Sequence, residues 1–303
     1  MGKTMKKLVL QALLTLYLSN SWADNAIFAL DSDPHSIWPK RYRSTIHKQP
    51  NFIPKMIGSG QFNWNQLKNV LNTHQGYHLY IIDLRQESHG FLNNQTPFSW
   101  YAIKNWENLH KSVQRINSTE KKRFQKLNGI ENIPIYLIQK KSNDGVVIEK
   151  TETKVSIVNA LSEQQFLTEK GIENKRFYVA DRMPDSPETI DKWINLLKSI
   201  DIRKTILYIH CRGGSGRTTQ FMAIADIWFN AQNDSLNTIL QREFVIGGKD
   251  LTQLPEKSHF SFYYAKKRLR LVSQVYAYVK KYHEGMESFS SWQRKTQNEK
   301  GVN

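Results

Sequence analysis

The stretch TILYIHCRGGSGRTTQFMAIADIWFN, residues 205–230, decides how the chain is read. An apolar β-type run, Ile206 to Ile209, leads to His210 and Cys211, the single cysteine of 303 residues. Arg212, Gly213, Gly214, Ser215 and Gly216 follow, then Arg217, Thr218 and Thr219. Beyond them Phe221, Ile224 and Trp228 recur at helical spacing. The order is strand, glycine-rich turn, helix, with a thiol on the first residue of the turn.

That order has a chemical meaning. Backbone N–H groups of a glycine-rich turn entering a helix converge on one centre and cradle an anion, helped by the positive end of the helix dipole. Glycine permits the backbone angles and the close approach this needs. The same cradle favours the thiolate of Cys211, the nucleophilic form. Arg217 is expected to close it with a bidentate fork to two phosphate oxygens. Thr218 supplies a hydroxyl for the sulfur, and His210 is expected to fix the loop through a backbone hydrogen bond. A structural cysteine in an ordinary β–α turn is the competing reading. The Cys-x5-Arg spacing, three glycines and trailing threonines together speak against it.

The chain carries 43 Lys and Arg against 27 Asp and Glu, a net charge of +16. Residues 1–23 have a basic start, an apolar Leu8–Leu18 and a small residue, Ala23, at the end. They read as a secretory signal peptide, too short to span a membrane, which makes the protein exported, to the periplasm or beyond. Cleavage removes Lys3, Lys6 and Lys7 and no acid, leaving +13. Such a charge attracts polyanions. One cysteine in an exported chain cannot form an internal disulfide and is expected as a free reactive thiol.

Residues 24–283 are expected to form one catalytic domain, with an N-terminal arm over 24–55 and a polar tail over 284–303. Leu79–Leu84 (LYIIDL) is apolar enough for a buried parallel strand. It runs into the polar cluster Arg85, Glu87, His89 at the end where open α/β sheets bind ligands; scaffolding by ion pairs is the preferred reading of those three. Pro97–Trp106 reads as an aromatic loop, and Glu107–Lys126 as a polar helix. Residues 133–139 and 145–155 read as a β-hairpin in a minor lobe. Helices are expected over 64–71, 162–170, 188–200, 236–244 and 260–282, and a strand over 176–180. The fold class is α/β, a central mostly parallel sheet flanked by helices with a small extra β-rich subdomain. No metal-ligand spacing and no nucleic-acid motif is present, so no cofactor and no nucleic-acid partner is expected.

Several segments together resemble the protein-tyrosine-phosphatase-like phytases, a branch of the protein tyrosine phosphatase superfamily. They are Met56–Phe62, Asp83–Gly90 (DLRQESHG), Phe98–Leu109 (FSWYAIKNWENL), Asp181–Asp191, the loop HCRGGSGRTT, and Arg242–Gly248. The resemblance implies a protein-tyrosine-phosphatase-like fold and hydrolysis of inositol polyphosphates through a phosphocysteine, without a metal. It implies Cys211 as nucleophile, Arg217 and the loop N–H groups as phosphate holders, and an aspartate as general acid. Asp181 matches the acid position of the family, although the loop Asp-Arg-Met-Pro-Asp lacks the family's tryptophan; Asp185 is the alternative. Asn105 stands where related chains have Asp. The phosphates not being cleaved need rim cations, for which Arg43, Lys140, Lys141, Arg212, Lys257, Lys266 and Lys267 are the candidates. A phosphatase for phosphotyrosine or phosphoinositides, acting on a host, and a non-catalytic polyphosphate-binding module are the alternatives.

Overall fold

The computed structural model describes residues 26–46, 52–142 and 144–300, the side chains of 299 and 300 excepted. The expected signal peptide therefore lies outside the described residues. Its first sheet has five strands. The run of residues 205–210 forms β11 (Thr205–His210), flanked on one side by β4 (His78–Arg85) and on the other by β3 (Met56–Ser59). β10 (Asn174–Val179) pairs with β4; these four strands are parallel, and the short β2 (Arg43–Ser44) closes the edge beside β3 antiparallel. The continuous burial of β11 explains its unbroken apolar run: both neighbours and both faces are covered.

Its side chains alternate between two cores. Leu207 and Ile209 face a large core built with α4 (Pro187–Ser199), α5 (Gly216–Asn230), α6 (Leu236–Val245) and α7 (Phe262–Lys281). Ile206 and Tyr208 face a second, built with α1 (Trp64–Thr73) and α3 (Glu163–Glu169). Each fully buried aliphatic or aromatic side chain contributes about 1.5–3 kcal/mol relative to exposure, which is what fixes the strand order. α5 is buried from Arg217 to Ile227, not along one stripe as its spacing predicts. It runs through the core between the sheet and the helices around it, so polar Thr218, Thr219 and Gln220 are buried with the apolar residues.

The β-rich part reaches well beyond the hairpin. It is a six-stranded sheet in the order β8 (Val147–Ser156), β7 (Asn132–Lys141), β1 (Ile27–Leu30), β6 (Thr96–Tyr101), β5 (His89–Leu92), β9 (Ala160–Ser162). The arm supplies β1, and Pro97–Trp106, read as a loop, is mostly β6: Pro97 sits near its start and the alternation Phe98, Trp100 packs on α2 (Val113–Leu127). α2 starts six residues later than expected because Ser112 caps it, its hydroxyl accepting from the Arg115 N–H. Glu107 stays outside the helix and accepts from the Ser88 N–H. The C-terminal residues are also not a plain tail. α8 (Phe289–Lys300) packs on the large core, with Phe289 fully buried against Tyr278. Among the described residues no helix is long and apolar enough to cross a membrane.

Candidate active site

β11 ends at His210, and the loop from Cys211 to Ser215 leads directly into α5. A cavity of about 340 Å³ opens over this loop. Among the described residues Cys211, Gly213, Ser215 and Gly216 line it, with six basic side chains (Lys141, Arg182, Arg212, Arg217, Lys249, Arg268), of which burial lowers Lys141 to about 7, and a single carboxylate, that of Asp181.

Cys211 is 3% exposed. Its sulfur accepts two hydrogen bonds at 3.2 Å each, from the Gly214 N–H and the Thr218 hydroxyl. The loop is turned this way by the arm. Arg41 donates to the Gly213 carbonyl at 2.6 Å, and Arg43 to the Gly214 carbonyl at 2.8 Å and to the Thr219 hydroxyl at 3.1 Å. In a trans peptide C=O and N–H point in opposite directions. Drawing the Gly213 carbonyl outward therefore aims the Gly214 N–H at the sulfur. Gly214 itself has φ +68, and a Cβ there would lie 2.3 Å from the Gly60 nitrogen, so the position admits only glycine.

Arg217 does not present its fork to the cavity as expected. Its two terminal nitrogens donate to the Glu87 carboxylate at 2.9 and 3.1 Å, and one of them to the Val179 carbonyl at 3.0 Å. Its Nε is buried with no hydrogen-bond partner. A buried unpaired donor is costly, and an anion above Cys211 is the ligand that would satisfy it. Glu87 thus scaffolds by ion pairs as expected, and the network it belongs to reaches Arg217 as well as Arg85. Burial alone would raise its pKa, but Arg217 and Arg85 outweigh that and hold it well below the ordinary carboxylate range.

Asp181 lines the cavity, its carboxylate 3.4 Å from an Arg217 terminal nitrogen, and its backbone carbonyl accepts from the Trp106 indole at 2.7 Å. Asp185 lies outside that lining. It accepts from the Gln220 amide at 2.7 Å, and the Gln220 oxygen accepts from Arg268 at 2.9 Å. Burial pushes Asp185 up to about 7, against the pull of Arg268 and Arg217. Position therefore distinguishes Asp181, and protonation near neutrality distinguishes Asp185.

Among the described residues no backbone group shares a hydrogen bond with the His210 ring, contrary to expectation. Its Nε2 lies 2.8 Å from the Glu163 carboxylate, and its ring stands edge-on to Phe62. Glu163, Asp83 and His89 place ligand-type atoms within 4.8 Å of one another. They do not fit a metal. His89 lies 3.3 Å from both carboxylates, and although burial and Arg85 pull its pKa down, Asp83 raises it to about 9. The resulting imidazolium has no lone pair to give, and Arg176 occupies Asp83 as well.

Among the expected rim cations, Lys141 and Arg212 line the cavity, while Lys140, Lys257, Lys266 and Lys267 do not. Arg43 is 4% exposed and sits beneath the loop, because β2 pairs Arg43 against Gly58. Asn105 is buried outside the lining, its amide without hydrogen bonds. Arg182 and Lys249 are cavity cations that sequence reasoning missed, whereas Arg268, which stands beside Lys266 and Lys267 in the first turns of the expected 260–282 helix and was a candidate with them, does reach the cavity. Helical periodicity could have separated Arg268 from Lys266 and Lys267, since Ser261, Ala265 and Arg268 share the face toward the cavity.

Residues 82–228 match the family model of the protein-tyrosine-phosphatase-like phytases, described by inositol hexakisphosphate. The effector protein hopD2 of Pseudomonas syringae pv. tomato (strain ATCC BAA-871 / DC3000) is 26% identical over 236 residues, 76% of this chain and 49% of the relative. Among solved structures, the tandemly repeated protein tyrosine phosphatase like phytase from Mitsuokella multacida is 26% identical with a TM-score of 0.76, covering 88% of this chain and 49% of that one. The myo-inositol phosphatase from the same organism, in complex with myo-inositol-(1,3,4,5)-tetrakisphosphate, matches at 26% identity and 0.75 with the same coverage. A phytase from Bdellovibrio bacteriovorus matches at 26% and 0.71, over 88% of this chain and 94% of that one. The chain spans about half the length of the curated relative and of the Mitsuokella chains. It resembles the protein-tyrosine-phosphatase-like phytases in both sequence and fold.

Proposed function

We propose that this protein is a cysteine-dependent phosphomonoester hydrolase acting on inositol polyphosphates, inositol hexakisphosphate included. One observation carries the reading: a buried thiol with two hydrogen-bond donors lies in a cavity that holds six basic side chains and one carboxylate. A single phosphate over Cys211 uses Arg217 and the loop N–H groups. The remaining cations are left for further phosphates on the same ligand. The tetrakisphosphate complex of the Mitsuokella relative supports the same substrate class.

In the first step the Cys211 thiolate forms a bond to phosphorus as the bond to the substrate alkoxide breaks. Asp181 gives the alkoxide its proton, because it is the carboxylate that lines the cavity. The Arg217 Nε and the loop N–H groups hold the charge that builds on the phosphoryl oxygens. In the second step water attacks the phosphocysteine, Asp181 takes up a proton from it, and the sulfur leaves with the Thr218 hydroxyl donating to it. Residues 1–23 serve in this reading as a signal peptide, and the enzyme works outside the cytoplasm as a single catalytic domain.

A second reading, phosphatase activity on host phosphoproteins, is favoured by one finding, the effector name of the Pseudomonas relative. Phosphate release from inositol hexakisphosphate, a phosphotyrosine peptide and a phosphoinositide separates the two. Faster turnover of the peptide overturns the first. Cys211→Ser is expected to retain ligand binding and lose hydrolysis; unchanged turnover removes Cys211 from the mechanism.

A further inference from the structure

Asp31 follows β1 directly and lies 181 positions from Arg212 in sequence. Its side chain is fully buried. One carboxylate oxygen accepts from the Arg212 Nε at 2.6 Å and from the Ser99 hydroxyl at 3.0 Å; the other lies 2.8 Å from Arg85. Arg85 continues to Glu87 at 2.9 Å, and Glu87 to Arg217. The path Arg212, Asp31, Arg85, Glu87, Arg217 thus alternates in charge and joins two cavity-lining arginines through the interior.

A buried ion pair is a poor way to gain stability, since desolvation consumes most of the attraction. This one does something else. An arginine side chain has large rotamer freedom, which an unrestrained rim arginine must surrender on each binding event. Arg212 surrenders it on folding: Asp31 holds its Nε, and its guanidinium lies 4.8 Å from the centre of the Tyr101 ring. Among the described residues its terminal nitrogens make no hydrogen bond, and the side chain lines the cavity. Asp31 is charged for the task; burial would raise its pKa, but Arg85 and Arg212 lower it below the ordinary value.

We propose that Asp31 is a positioning residue that locks Arg212 as a second, fixed phosphate anchor, so that the cavity prefers ligands carrying more than one phosphate. The proposal rests on the reading of the cavity as a phosphate site. It places the origin of selectivity in the buried sheet behind the cavity.

The test compares kcat/KM for inositol hexakisphosphate and p-nitrophenyl phosphate in the wild type, Asp31→Asn, Arg212→Ala and the double variant. Asp31→Asn is expected to lower the ratio of the two about tenfold, mostly through KM for the hexakisphosphate, as loss of one charge-assisted contact predicts. In the Arg212→Ala background the same change should leave the ratio as it is. Equal losses on both substrates, or an effect that persists without Arg212, overturn the proposal and make Asp31 a support for Arg85 alone. If Asp31→Asn does not fold, Arg212→Lys keeps the charge but not the Nε contact and must show the same loss of selectivity; retained selectivity overturns it. If the wild type does not hydrolyse inositol hexakisphosphate, the functional reading fails separately. The clamp is then read from inhibition of p-nitrophenyl phosphate turnover: the variants must weaken inhibition by tripolyphosphate about tenfold more than by orthophosphate, and equal weakening overturns it.

Discussion

Replacing Glu87 by Gln changes one atom at the point where fold and chemistry meet. Glu87 is 1% exposed and stands between Arg85 and Arg217, which are 0% and 2% exposed. The amide keeps the volume and one acceptor, but it removes the only charge among the described residues that faces both guanidinium groups. Breaking a buried pair by deleting one partner costs about 3–5 kcal/mol, because the charge left behind is neither solvated nor neutralised. The retained acceptor and the neighbouring Asp31 and Asp181 put the expected loss at the lower end, about 3 kcal/mol. For a chain of this size that lowers Tm by about 5 °C. Arg217, no longer held by Glu87 through both terminal nitrogens, loses the fixed position of its Nε, and kcat is expected to fall about 100-fold or more, as for removal of one preorganised oxyanion donor.

The pH dependence of this loss is fixed by the direction of the pKa shift. Glu87 titrates in the folded protein well below its ordinary 4.5. Its stabilisation is therefore complete above the unfolded value and is lost as pH falls through the folded one. Urea unfolding of the wild type and Glu87→Gln should differ fully at pH 7, and the gap should narrow as pH falls below about 4.5. A gap below about 1 kcal/mol at pH 7, or one equally wide at pH 3.5, refutes the reasoning. The first result would mean that Glu87 behaves as an exposed pair, the second that its charge is not what stabilises.

Asp181→Asn should lower turnover of an alkyl phosphate such as an inositol phosphate about 100-fold, with a smaller effect on p-nitrophenyl phosphate, whose leaving group needs no proton; Asp185→Asn should cost several-fold less, and the reverse order in steady-state kinetics would assign the acid to Asp185. Gly214→Ala forces a side chain 2.3 Å from the Gly60 nitrogen at φ +68, so the loop must open. Activity should be lost to near background while the Tm drops only about 2–3 °C, the range for a local backbone strain of about 1–2 kcal/mol; near-normal activity would show that the Gly214 N–H is not needed at the sulfur.

The loop around Cys211 was legible because a phosphate cradle needs a local sequence: three glycines, an arginine six residues on, and a strand before it. The parallel sheet was legible for a similar reason, since β4 and β11 each carry an apolar run, 79–82 and 206–209. What escaped is non-local or decided by burial. Phe98 and Trp100 alternate as a strand should, but the aromatic run around them has the composition of a packed loop. Phe289 and Trp292 are too few to mark α8 as part of the core. Arg43 and Lys257 are each one cation among 43, and nothing in sequence says which point inward.

The same limit explains why the site's arginines are not equivalent. Arg217 and Arg212 flank the glycines of one loop, and by sequence both read as phosphate ligands. In the structure each is held from behind by a different carboxylate, Glu87 from the end of the first sheet and Asp31 from the second sheet. Arg85 joins the two carboxylates, so the loop is fixed only when both sheets are in place. That coupling gives the six-stranded sheet a role that a minor lobe would not need. The second sheet contributes Lys141 to the cavity and Asp31 behind Arg212. In the proposed clamp, the preference for several phosphates is therefore carried by the sheet that the cysteine motif does not specify.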